Sequence, residues 1–183
     1  MRRAAVLFLA AWGFLPGESR AQLLVSDPLY AAMVRLYGEP AISANPIPMN
    51  STSNDVGPWG SDTFLYSWNN DVGPLGSPVI LTSLTNELGP GRRIRFSEER
   101  LARTPGLRAA VKLYGDPVLS ANPYLLNSTS NDVGPWGSDT FLYSFKNEVG
   151  PLGSPVFLDS VSNELGTGVK VELLEPEFYP EVP

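Results

Sequence analysis

The 183-residue sequence contains no cysteine and no histidine. Without thiols there is no disulfide framework, no zinc–thiolate or iron–sulfur centre and no thiol nucleophile. Without imidazole the commonest general base is absent, and Ser-His-Asp catalysis is excluded. Basic residues are also scarce, 13 against 19 acidic, for a net charge of −6. That balance argues against nucleic acid as a partner, because nucleic-acid binders carry a basic footprint. What is present is a 43% apolar complement, enough to build a core.

The first residues read as an address. Met1-Arg2-Arg3 is followed by the apolar run 4–15, a Pro16-Gly17 break and the small residues Ser19 and Ala21 at the −3 and −1 positions of a cleavage site. The apolar run, about 12 residues, is shorter than the ~20 that a spanning helix needs. A signal peptide over 1–21, a linker over 22–26 and a secreted or periplasmic destination are the expectation, with no transmembrane segment after the leader is removed.

Self-similarity dominates the rest. Residues 27–103 align without a gap on 104–180, with 46 identities in 77 pairs, and the stretch 50–67 recurs unchanged as 127–144. The sequence therefore predicts two structural units over these ranges, with a tail at 181–183. Inside each unit an Asn–acid–aliphatic–Gly pattern recurs every 16 residues, beginning at Asn54, Asn70 and Asn86 and again at Asn131, Asn147 and Asn163. Between these turn signals lie runs rich in β-branched and aromatic residues, 63–68 and 79–84 with counterparts 140–145 and 156–161. Runs of that composition, bounded by Gly, Pro, Asn and Asp, are the signature of strands.

A helix precedes each β segment. Asp27-Pro28 opens one that stops at Gly38, and Thr104-Pro105 opens another that stops at Gly115. Each unit ends in a short alternating segment, 92–96 or 169–173. The expected class is mainly β with two short helices, a tandem duplication of a helix-plus-β-meander unit. The alternative is a short β-solenoid with 16-residue coils, which would explain why the loops resemble one another.

Candidate sites are few. Asn54, Asp55 and Asp62, with their counterparts Asn131, Asp132 and Asp139, supply the oxygen atoms that Ca²⁺ prefers, but without EF-hand or calcium β-roll spacing; turn formation is the favoured explanation of them. Calcium is the only cofactor the residues suggest. Trp59 and Trp136 follow Gly-Pro in the loops and either plug the core or meet a ligand such as a sugar ring. Phe64, Tyr66 and Trp68 alternate, as do Phe141, Tyr143 and Phe145, which on a strand would form one face. Arg95 and Glu172 occupy equivalent positions with opposite charge, so their segments are candidates to meet within the chain or between molecules. Asn50-Ser51-Thr52 and Asn127-Ser128-Thr129 fit the N-glycosylation pattern.

Together these features suggest a non-catalytic structural, adhesive or envelope-associated repeat protein, with envelope polysaccharide or its own copies as partners. The alternatives are a glycan-binding or Ca²⁺-dependent binding module and, third, a hydrolase using paired carboxylates.

Overall fold

The structure, a computed structural model, describes residues 27–174. The expected signal peptide, the linker 22–26, residues 175–180 of the second unit and the tail 181–183 lie outside the described residues. The elements run α1 (Pro28–Tyr37), β1 (Ala41–Ile42), β2 (Arg92–Phe96), α2 (Glu98–Arg103), α3 (Pro105–Tyr114), β3 (Val118–Leu119) and β4 (Val169–Leu173).

Each helix is bounded by local chemistry. The Asp27 carboxylate accepts from the Leu29 and Tyr30 amides and caps α1. Gly38, at φ 80°, ends it by donating to the Val34 carbonyl at 2.8 Å. Gly115, at φ 82°, ends α3 in the same way on Val111. In α2, Ser97 caps the Arg100 amide, with Glu98 and Glu99 in the first turn and Arg103 in the last, each charge favourably placed on the helix dipole.

The strands form one antiparallel sheet in the order β1-β4-β2-β3. In the central pair, Ile94 faces Leu173, Arg95 faces Glu172 and Phe96 faces Val171. The apolar members are buried and the charged ones half-exposed, as a period of two demands when one face meets a core. Gly91 and Gly168 open β2 and β4 at φ 63° and 66°; a Cβ on either would lie 2.4 Å from a carbonyl oxygen of the neighbouring edge strand.

The expected fold class is not the one that forms. The body has three helices rather than two, one four-stranded sheet, and more residues in helices than in strands. No residue between 52 and 91 or between 129 and 168 is in a strand, so neither meanders nor a β-solenoid of 16-residue coils is present. The runs read as strands are turns, closed by bonds such as Ser67 N–H to Phe64 O and Ser83 N–H to Ile80 O, each 3.0 Å. The reason lies in an interval of eight residues, half the period read from the sequence. Cβ atoms on Gly57, Gly73 and Gly89 would fall within 2.8 Å of the carbonyls of Met49, Leu65 and Leu81, eight positions back. Eight residues suffice for a closed set of turns but not for an out-and-back pair of strands. Serines turn the chain there, with Ser51, Ser67 and Ser83 fully buried and the Ser51 and Ser67 hydroxyls accepting from amides two residues on.

Nor do the two sequence units stand side by side. β1 of the first pairs with β4 of the second, and β2 of the first with β3 of the second. The Ala44 amide donates to Val161 and the Ala121 amide to Leu84, both at 2.7 Å, so each turn segment begins on the end of the other. The core is accordingly one cluster, with Trp59, Tyr66, Ile94, Phe96, Leu107, Trp136 and Leu152 at its centre. Burying a side chain of the Leu, Ile or Phe kind contributes about 1.5–3 kcal/mol, which makes this cluster the main source of stability in a chain with no disulfide.

Candidate interaction surface

The turn segments hold one side-chain device six times over. In each Asn–acid–aliphatic triplet the asparagine Oδ1 accepts from the amide of the aliphatic residue two positions on. The distance is 3.0 Å at Val56, Val72, Leu88, Val133 and Val149 and 2.9 Å at Leu165. In five of them (Asn54, Asn70, Asn86, Asn131 and Asn163) the asparagine Nδ2 also donates to a carbonyl six to eight residues back, for instance Asn70 to Phe64 at 3.0 Å and Asn163 to Pro155 at 2.6 Å. One amide group thus shapes its own turn and binds it to the preceding one.

The consequence appears on the outside. Val56, Val72, Leu88, Val133, Val149 and Leu165 are each at least 75% exposed. The acidic residues before them (Asp55, Asp71, Glu87, Asp132, Glu148 and Glu164) are exposed as well. Large apolar side chains at that exposure are unremarkable singly, but a regular series on hydrogen-bonded turns is an organised surface. Leu81, Leu126, Leu142 and Leu158 are also more than half exposed.

The residues singled out in the sequence are placed differently. Trp59 and Trp136 are fully buried, so neither is presented to a ligand. Trp59 packs edge-on against Tyr30 and donates its indole N–H to Gly38 O at 3.2 Å, whereas Trp136 packs on Phe96 and its indole N–H has no partner among the described residues. The proposed calcium atoms are also not assembled. Asn54 and Asn131 use their amides on the backbone, Asp55, Asp62 and Asp139 are exposed, and Asp132 pairs with Lys146 at 2.7 Å. Among the described residues no group of three or more potential metal-ligating side chains comes together. The strand-like aromatics lie in turns rather than on a strand: Tyr66 is buried edge-on against Tyr30, half-buried Phe64 packs edge-on against Tyr37, and half-buried Trp68 packs against the core. Arg95 and Glu172 lie opposite each other on the two middle strands, 3.5 Å apart and partly exposed. The glycosylation-type Asn50 and Asn127 donate their amide nitrogens to the carbonyls of Glu39 and Tyr114.

The chain matches no protein-family model, no curated protein and no solved structure.

Three titratable clusters escaped the sequence reading. The Tyr66 hydroxyl donates to the Asp27 carboxylate, and this bond holds the carboxyl below its ordinary range. Burial, with the Asp27 bond second, pushes the Tyr66 phenol up to about 12. Arg100 is buried between α2 and a turn, donating to Asp159 O at 2.7 Å with the Asp159 carboxylate at 3.5 Å; burial lowers its pKa. Asp116 is raised by burial near Arg95 and Arg93. Asp27 could be found from sequence as a helix cap; its tyrosine partner, 39 residues on, carried no local signal. Among the described residues no helix is long and apolar enough to cross a membrane.

Proposed function

We propose that the chain is a non-catalytic structural or adhesive protein, secreted or periplasmic, whose working face is the series of exposed Asn–acid–aliphatic turns. One observation carries this: six triplets far apart in sequence present an aliphatic side chain and a carboxylate through the same asparagine–amide bond. A surface repeated in this way suits repeated partners, such as an envelope polysaccharide or further copies of the chain. The shifted titratable groups support the same view, since Asp27, Tyr66 and Arg100 each serve a bond that holds the fold.

The test is to replace Val72 and Val149 by Ser, one per turn segment, leaving the core and the asparagines intact. Co-sedimentation with purified envelope polysaccharide and sedimentation velocity over a range of protein concentrations are expected to show weaker binding or weaker self-association at unchanged Tm. A variant that binds and assembles as well as the original overturns the proposal. So does turnover of a glycan or ester substrate by the unmodified chain.

A further inference from the structure

The two longer helices differ in what lies along them. On α3 the neighbour is α2, the segment that follows β2 directly; Leu101 is buried in the core, and Glu98 pairs with Arg108 at 3.2 Å. On α1 the corresponding face borders a groove of about 210 Å³, lined by Tyr30, Ala31, Val34 and Arg35 of α1, by Glu39 just beyond it, and by Glu172 and Leu173 of β4. Counting back by the 77-residue offset of the sequence, Ala31 stands where Arg108 stands on α3 and Leu173 where Phe96 stands. The groove is therefore the place on α1 that α2 fills on α3.

We propose that this groove is the docking site of residues 175–180 of the same chain, with Phe178 as its anchor. These residues follow β4 as α2 follows β2, and the offset sets Phe178 against Leu101 and Glu175 against Glu98. The described chain ends beside the groove: Leu173 lines it, and the Leu174 amide is still held on the sheet by Arg93 O at 2.7 Å. The segment carries Glu175 and Glu177, and the groove presents Arg35 together with the carboxylates of Glu39 and Glu172, so the apolar contact rather than charge has to hold it. The groove's apolar floor supplies the site for an aromatic ring.

The absence of cysteine makes the test direct, since Val34→Cys with Phe178→Cys introduces the only two thiols. Mild oxidation is expected to give a monomeric disulfide, identified by peptide mapping. Deleting 175–183 is expected to speed hydrogen exchange in α1 at least 10-fold while leaving α3 unchanged, and Phe178→Ala to lower Tm where Phe178→Leu restores most of the loss. A disulfide found only between two molecules, or α1 exchange indifferent to the deletion, overturns the proposal. Because the chain truncated at 174 retains every described element, its exchange remains measurable.

Discussion

Helices α1 and α3 have the same length, the same proline start and the same glycine stop, yet they are held by different means. α1 is capped by the Asp27 carboxylate, which Tyr66 in turn anchors. The counterpart residue on α3, Thr104, makes no side-chain cap bond; its amide closes α2 on Arg100 O at 3.0 Å, and α2 packs against α3. A helix end can thus be stabilised by a local charge or by a packed neighbour, and the two starts differ in sequence accordingly, Asp27-Pro28-Leu29-Tyr30 against Thr104-Pro105-Gly106-Leu107. The two tryptophans repeat the lesson, since both are fully buried but only the indole of Trp59 finds a carbonyl.

The largest test of this comparison is in the core. Trp59→Ala and Trp136→Ala should each cost about 3–5 kcal/mol in urea unfolding. Trp→Phe should separate the pair, with Trp59→Phe costing about 1 kcal/mol more than Trp136→Phe because only Trp59 loses a hydrogen bond. At the helix starts, Asp27→Ala should cost about 1–2 kcal/mol, while Thr104→Ala should stay within about 0.5 kcal/mol.

The same asymmetry should be visible in pH. Asp27 has a folded pKa below its ordinary value of 3.8, so its contribution is complete above that value and fades as pH falls through the lower folded pKa. Tyr66 is raised from 10.0 to about 12, so its contribution is complete below pH 10 and fades as pH rises towards 12. Urea midpoints for the original chain and Asp27→Asn should converge at both extremes and differ most between them. Equal separation at every pH would remove the carboxylate–phenol bond as the cause.

A small effect is expected where the halves meet. Arg95→Glu places like charges opposite each other on the middle strands and should cost about 0.2–1 kcal/mol. Adding Glu172→Arg should recover most of it, and salt should shrink the difference. A full loss of folding would show the pair to be more than a half-exposed cross-strand contact.

Much of the frame was legible. Helix 28–37 and helix 105–114 announce themselves through proline, glycine and apolar spacing, and 92–96 and 169–173 through alternation. The six-residue α2 was missed: Ser97 and two glutamates mark its start, but only Leu101 anchors it, so no helical period could show. The turn segments were misread because short β-branched and aromatic runs between Gly and Pro describe a strand and a tight turn equally well. A better signal was present at every eighth residue: Ser43, Ser51, Trp59, Ser67, Leu75 and Ser83 are all buried. The exposed aliphatics were passed over because a valine after a turn reads as the start of a strand, and its outward direction depends on how the layers stack.

The crossing of strands between the halves bears on how the chain is made. During synthesis β1 emerges well over a hundred residues before β4, its only partner in the sheet. The first unit must therefore wait, with an unsatisfied edge, until β4 has left the ribosome. Such long-range closure slows folding and lengthens exposure to aggregation. A nick in the loop between β1 and β2 should be tolerated once the molecule has closed, whereas fragments born separately should find each other only as a complementing pair.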